Sequence, residues 1–259
     1  MSHLRFAICH LRFRPRRPGC CAVLLILMFC GAKLGGATTN DFFAQGIKLS
    51  RAGQFPEAAA AFEKSARSRP AAGTLVNLGI AEWRRGRAGA AILAWERARW
   101  IDPFDARAGA NLKFARQVAQ VDEPQLKWFE TASTWLPPGA WVWLAGASLW
   151  LALGLLVLPR IFRRRKAGWQ QVPAALSFGV FMFSLAANFG VVSRTQIGLV
   201  VAKNAPLLLT PTRDGETVST LAAGEPAREL RTHGDYFLIR TAGASGWIAR
   251  SDFRLICPR

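Results

Sequence analysis

Two long runs without a charged residue constrain this chain more than any other feature. Leu136–Leu158 (LPPGAWVWLAGASLWLALGLLVL) is 23 residues long and Val172–Val192 (VPAALSFGVFMFSLAANFGVV) is 21. Each is long enough, as a helix, to cross a hydrocarbon core that needs ~20 apolar residues. Buried helices of water-soluble proteins rarely run so far without a charge. Trp135, Trp141, Trp143 and Trp169 lie at or near the ends of the runs, where interfacial aromatics gather. Between the runs lie Arg160, Arg163, Arg164, Arg165 and Lys166. Positive loops stay in the cytoplasm, so the sequence predicts transmembrane helices over 136–158 and 170–192, joined by a cytoplasmic loop at 159–169.

The N-terminus points the same way. Arg5, Arg12, Arg14, Arg16 and Arg17 precede an apolar stretch, Cys20–Phe29, too short to span a bilayer. Gly35-Gly36-Ala37 then offers small residues for cleavage. Residues 1–37 read as a secretory signal peptide, with an uncleaved anchor as the alternative. A signal exports the segment that follows it, and two spans return the chain to the outside. The expectation is a multi-pass protein of the bacterial inner membrane whose N- and C-terminal domains both face the periplasm.

This threading changes the meaning of the net charge of +18. A basic chain invites a nucleic-acid reading. Here residues 1–37 carry six positives and no acid, and 136–192 carry five and no acid. The excess left on residues 38–135 and 193–259 is +4 and +3, ordinary for small domains. No nucleic-acid partner is expected. Loss of the signal would also remove Cys9, Cys20, Cys21 and Cys30, leaving Cys257 with no intramolecular partner.

Residues 38–118 repeat at an offset of 33. Gly46 matches Gly79, Gly53 matches Gly86, Ala58 matches Ala91, Phe62 matches Trp95 and Pro70 matches Pro103. A period of that size marks stacked helical hairpins that bury their apolar faces only against one another. The segments GIKLSRAGQFPEAAAAFEKSARSRP and LGIAEWRRGRAGAAILAWERARWIDP resemble the tetratricopeptide repeat, with Gln45 and Glu82 departing from the usual residues. A further helix near Asp105 would cap the stack, and 119–135 would link it to the membrane. The resemblance implies a groove lined by the first helices, at Phe43, Ile47, Val76, Ile80, Trp83 and Arg84, able to take a peptide or a partner helix. The Lys/Asn pattern that grips a C-terminal carboxylate is missing, since Ile47 and Ile80 fill key places.

Residues 197–259 change period to short β-rich runs separated by Gly, Pro, Asp and Asn. Gly224 before a strand, Gly234-Asp235-Tyr236 at a turn and a late Gly246-Trp247-Ile248 resemble a bacterial SH3-like domain. That resemblance implies a small all-β barrel and, in secreted proteins, recognition of cell-wall peptides, with Tyr236 and Trp247 as the aromatics to test. Packing of Trp247 in the barrel core is the alternative. A proline-motif groove needs several aromatics, and the chain has a single Tyr.

Catalytic chemistry lacks material. Beyond the signal the chain has one histidine, His233, and one cysteine, Cys257, so no Cys/His set for zinc exists. Neither GxxxxGK[ST] nor GxGxxG occurs. No enzyme activity, metal or cofactor is expected. In the second span Ser177, Ser184 and Asn188 share one helix face and are expected to hydrogen-bond across to the first span near Ser148, or to a partner's helix.

The fold class expected is thus a multi-domain membrane protein: an all-α tetratricopeptide array, two transmembrane helices and a small all-β SH3-like barrel. That order resembles BatE-type proteins of the Bat aerotolerance system, whose relatives neighbour MoxR-type ATPases and membrane proteins bearing von Willebrand A domains. The resemblance implies a non-catalytic membrane scaffold that binds envelope protein partners. The alternative is a cell-envelope module holding peptidoglycan through residues 197–259.

Overall fold

Pairs of residues 33 apart dictate the first half of the architecture. In a computed structural model, described over residues 37–161 and 170–257, helices α1 (Ala37–Arg51), α2 (Phe55–Ser68), α3 (Ala72–Arg84) and α4 (Ala88–Ile101) form two successive hairpins. Gly53 and Gly86 turn the hairpins, both at φ 75°, a left-handed conformation that a Cβ penalises. Gly46 lies against the Phe62 ring, where a Cβ would approach to 2.6 Å, and Gly79 lies in the same way against Trp95. Ala58 and Ala91 are fully buried at the crossings. The sequence period is therefore a structural period, with one small-on-large contact per hairpin. Helix α5 (Ala106–Ala119) follows, capped by the Asp105 carboxylate, which accepts from the N–H groups of Arg107 and Ala108. Buried Glu82 is paired with Arg85 at 3.1 Å and Arg87 at 3.6 Å, so this departure from the repeat pattern is neutralised locally.

A linker crosses to the short helix α6 (Trp128–Ala132), and then come α7 (Pro138–Ile161) and α8 (Gln171–Arg194), which pack together as a hairpin. Both are long and apolar enough to cross a membrane, and only 17% and 22% of their apolar windows is buried. Large side chains such as Trp143, Trp150, Leu176 and Phe189 point outward. The buried face is instead small: Ala145, Ser148, Ala152, Ala174, Ser177, Ser184 and Ala187, which lets two backbones lie close. Residues 1–36 of the proposed signal peptide lie outside the described residues, as does the basic stretch 162–169.

Seven antiparallel strands complete the chain: β1 (Ile197–Val200), β2 (Ala205–Leu208), β3 (Thr217–Leu221), β4 (Pro226–His233), β5 (Tyr236–Arg240), β6 (Ser245–Ala249) and β7 (Phe253–Leu255). Their order is β3-β2-β6-β5-β4-β1-β7. The expected barrel is not formed, because the end strands β3 and β7 do not pair. Two features accompany the open sheet. Strands β2 and β6 meet through the single pair Leu208↔Trp247. At the far edge, the Arg97 guanidinium of α4 donates to the carbonyls of Ile256 (3.0 Å) and Leu255 (2.8 Å) at the end of β7.

Three hydrophobic cores result among the described residues. One lies at the first hairpin, around Ala58 and Phe62 with Ala81 of α3. A second lies within the sheet, around Leu207, Ile239, Ile248 and Phe253. The third is shared, joining Ile92, Trp95 and Leu112 of the helices to Ile197, Leu199 and Ile256 of the sheet. Gly89 makes the close approach possible, since a Cβ there would stand 2.7 Å from the Val200 carbonyl oxygen. The helical array and the sheet belong to one compact unit, Thr38–Arg259.

Candidate functional site

The sequence placed a groove on the first helices, and the structure divides its residues. Val76 is buried in the shared core. Phe43 stacks on Phe62 at 5.8 Å, and Phe43 and Ile47 pack against the first hairpin's core. These three are largely packing residues. Ile80 and Arg84 are exposed and Trp83 is half-buried. Trp83 touches Trp95 on one side and the exposed Phe114 of α5 on the other, at 6.1 and 5.7 Å. Val118, one turn beyond Phe114, is also exposed. Ile80, Trp83, Arg84, Phe114 and Val118 are thus the residues of this region left exposed or half-buried. Phe114 and Val118 were missed because they belong to the capping helix, outside the matched pairs.

On the sheet, Tyr236 and Trp247 are both half-buried and lie on one face. Register pairs Tyr236 with His233 and with Ala249, and Trp247 with Leu238. The His233 ring meets Trp247 edge-on at 6.1 Å. The sheet core is filled by Ile248, Phe237 and Ile239, which project from the opposite face. Trp247 is therefore not a residue of that core.

In α8, Ser177 and Ser184 are buried and Asn188 is half-buried. Their hydrogen bonds stay within the helix: Ser177 Oγ donates to the Pro173 carbonyl, Ser184 Oγ to Val180 and Asn188 Nδ2 to Ser184. Ser148 donates to Leu144 and Ala145 in α7. The expected bonds between helices are absent among these residues, because each hydroxyl reaches a carbonyl one turn back more easily than the neighbouring helix. The face still does its work by being small.

A polar junction that sequence patterns do not reveal ties the three parts together. Glu130 of α6 is wholly buried. Arg228 Nη2 on β4 donates to both its carboxylate oxygens at 2.8 and 3.0 Å, the Lys127 N–H donates at 2.9 Å, and Ser193 Oγ of α8 donates as well. Burial disfavours the charged carboxylate, but these donors outweigh it and hold Glu130 below the ordinary glutamate pKa. Ser133 Oγ donates to the Glu130 carbonyl and accepts from Arg194, while the Trp141 indole of α7 donates to the Ser133 carbonyl at 3.2 Å. Gly190 of α8 sits against the backbone of Phe129, with no room for a Cβ. Linker, sheet and both apolar helices thus meet around one carboxylate.

Arg116 pairs with Glu96 and Glu123 beside this junction. Among the described residues no three His, Cys, Asp or Glu side chains gather as a metal site would require. No protein-family model matches the chain, and no curated protein or solved structure is significantly similar to it.

Proposed function

We propose that the chain is a non-catalytic, membrane-anchored scaffold whose helical array and sheet, both on the periplasmic side of a bacterial inner membrane, bind envelope proteins. The observation that carries this reading is the exposed surface Ile80, Trp83, Phe114 and Val118, held on an array whose other side is fixed to the sheet through Arg97 and the shared core. A half-buried Trp bordered by exposed apolar side chains and an Arg suits a partner helix or an extended peptide. In this reading the array is of tetratricopeptide type and the sheet is an opened SH3-like module. Resemblance to BatE-type proteins makes membrane proteins with von Willebrand A domains the first partners to test, in an aerotolerance or stress complex.

Photo-crosslinking from position 80 in intact membranes tests this. The account expects a discrete protein adduct that disappears on Trp83→Ala while the protein remains in the membrane. An unchanged adduct would count against the surface.

The second reading, cell-wall binding by the sheet, draws on Tyr236, His233 and Trp247 sharing one face. Cosedimentation of the full chain in detergent with purified peptidoglycan should then fall on Trp247→Ala. The full chain is needed because Ile197, Leu199 and Ile256 complete the core of the helices.

A further inference from the structure

A cavity of about 330 Å³ opens beside the polar junction, between α4, the linker and the end of α8. Its charged lining is Arg99, Arg116, Arg194, Glu96 and Glu123. Both glutamates are committed to Arg116. Arg194 spends one N–H on Ser133 and lays its guanidinium over the Trp100 ring at 4.7 Å. Arg99, half-buried, makes no hydrogen bond or ion pair among the described residues. Three arginines against two glutamates leave a lining of net +1 with unused guanidinium N–H groups from two chain positions. Glu96 and Glu130 attract Arg194 through their charge, but they are already ion-paired with Arg116 and Arg228, and Arg99 and Arg194 repel one another across the cavity, a cost that an anion joining them would relieve. Thr131 and Thr134 also line the cavity, so its floor is the short stretch leading into α7.

We propose that this cavity binds a phosphodiester monoanion, gripped by Arg99 and Arg194. A single negative charge matches the net +1, and the planar guanidinium fork suits the paired oxygens of a phosphodiester. Because the cavity lies where α8 ends and α7 begins, the headgroup of an anionic phospholipid is the nearest source. A soluble phosphodiester is the other. The lipid source rests on the membrane reading above; the phosphodiester site does not.

The test uses the full chain in nonionic detergent, titrated with dihexanoylphosphatidylglycerol and, separately, with its chain-free headgroup glycerophosphoglycerol, read by phosphorus NMR line broadening. Arg99→Gln should weaken binding at least about tenfold, the worth of a charge-assisted bond, and Arg213→Gln, exposed between β2 and β3 and not part of the cavity lining, should leave it unchanged. Because Arg99 has no hydrogen-bond or ion-pair partner among the described residues, its replacement breaks no such bond and the thermal midpoint should not fall. Tighter binding of the lipid than of the headgroup assigns a membrane source, and equal binding assigns a soluble one. No broadening by either ligand, or equal broadening in wild type and Arg99→Gln, overturns the site. Membrane anchoring is judged separately by alkaline extraction: a protein that resists extraction yet binds neither ligand sinks the phosphodiester site alone.

Discussion

At the scale of single residues, glycines and their large partners carry the array. Gly79 sits under Trp95, whose indole donates to the Val76 carbonyl at 3.1 Å. Trp95 is fixed by that bond and by burial, so a methyl group at 79 has nowhere to go. Gly79→Ala should lower stability by roughly 1–3 kcal/mol, the usual cost of overpacking. Gly109 in α5 offers the contrast, since a Cβ there would meet nothing within 4 Å. Gly109→Ala should raise stability by about 0.5–1 kcal/mol through helix propensity. Thermal unfolding of both variants in the same detergent reads the difference in sign. These contacts were legible in the sequence because each pairs a small residue with a large one at the same spacing twice. Glu130 was not legible: Ser193 and Arg228 lie 63 and 98 residues away, and no local pattern announces such a partner.

At the scale of elements, the joints between helices, sheet and apolar hairpin matter more than each part alone. Glu130→Ala would leave Arg228 facing a polar cavity without its carboxylate. Loss of one partner from a buried pair is costly, and because Arg228 is partly solvated a fall of about 3 kcal/mol is expected. The pH dependence has a defined sign. A carboxyl whose folded pKa lies below its unfolded value of ~4.3 contributes stability above that value, and the contribution is lost as pH falls through the lower folded pKa. Wild type should therefore lose thermal stability on acidification from pH 5 more steeply than Glu130→Gln; parallel curves would show that the junction contributes nothing. The α4–sheet joint makes a similar demand. Gly89→Ala would press a methyl against the carbonyl oxygens of Val200 and Val201, which are backbone and cannot swing aside. Amide exchange at Leu255 and Ile256 should then rise, as the edge held by Arg97 loosens. Strand existence was readable from the change of period and the turn residues. Closure was not: it depends on whether β3 finds β7, and Arg97 reaches the end of β7 from a helix 158 residues away.

At the scale of the whole molecule, the threading of the chain and its folding bear on one another. Apolar length and basic residues predict a threading with both ends outside. Independently, the folded chain brings the array and the sheet together through Arg97, the shared core and the Glu130–Arg228 pair. A body assembled from residues before and after the apolar hairpin can form only if both lie on the same side of a bilayer. In the proposed threading the outward-facing Trp and Phe side chains of α7 and α8 would meet lipid, while the small inner face lets the two helices pack together. The most direct test is accessibility labelling in intact cells of single cysteines placed at positions 120, 165 and 255, in a chain whose native cysteines are replaced by serine. The account predicts that 120 and 255 react with a membrane-impermeant thiol reagent from the periplasm and that 165 reacts only after the membrane is opened. Labelling of 120 and 255 from opposite sides, or of both only after opening, would contradict it.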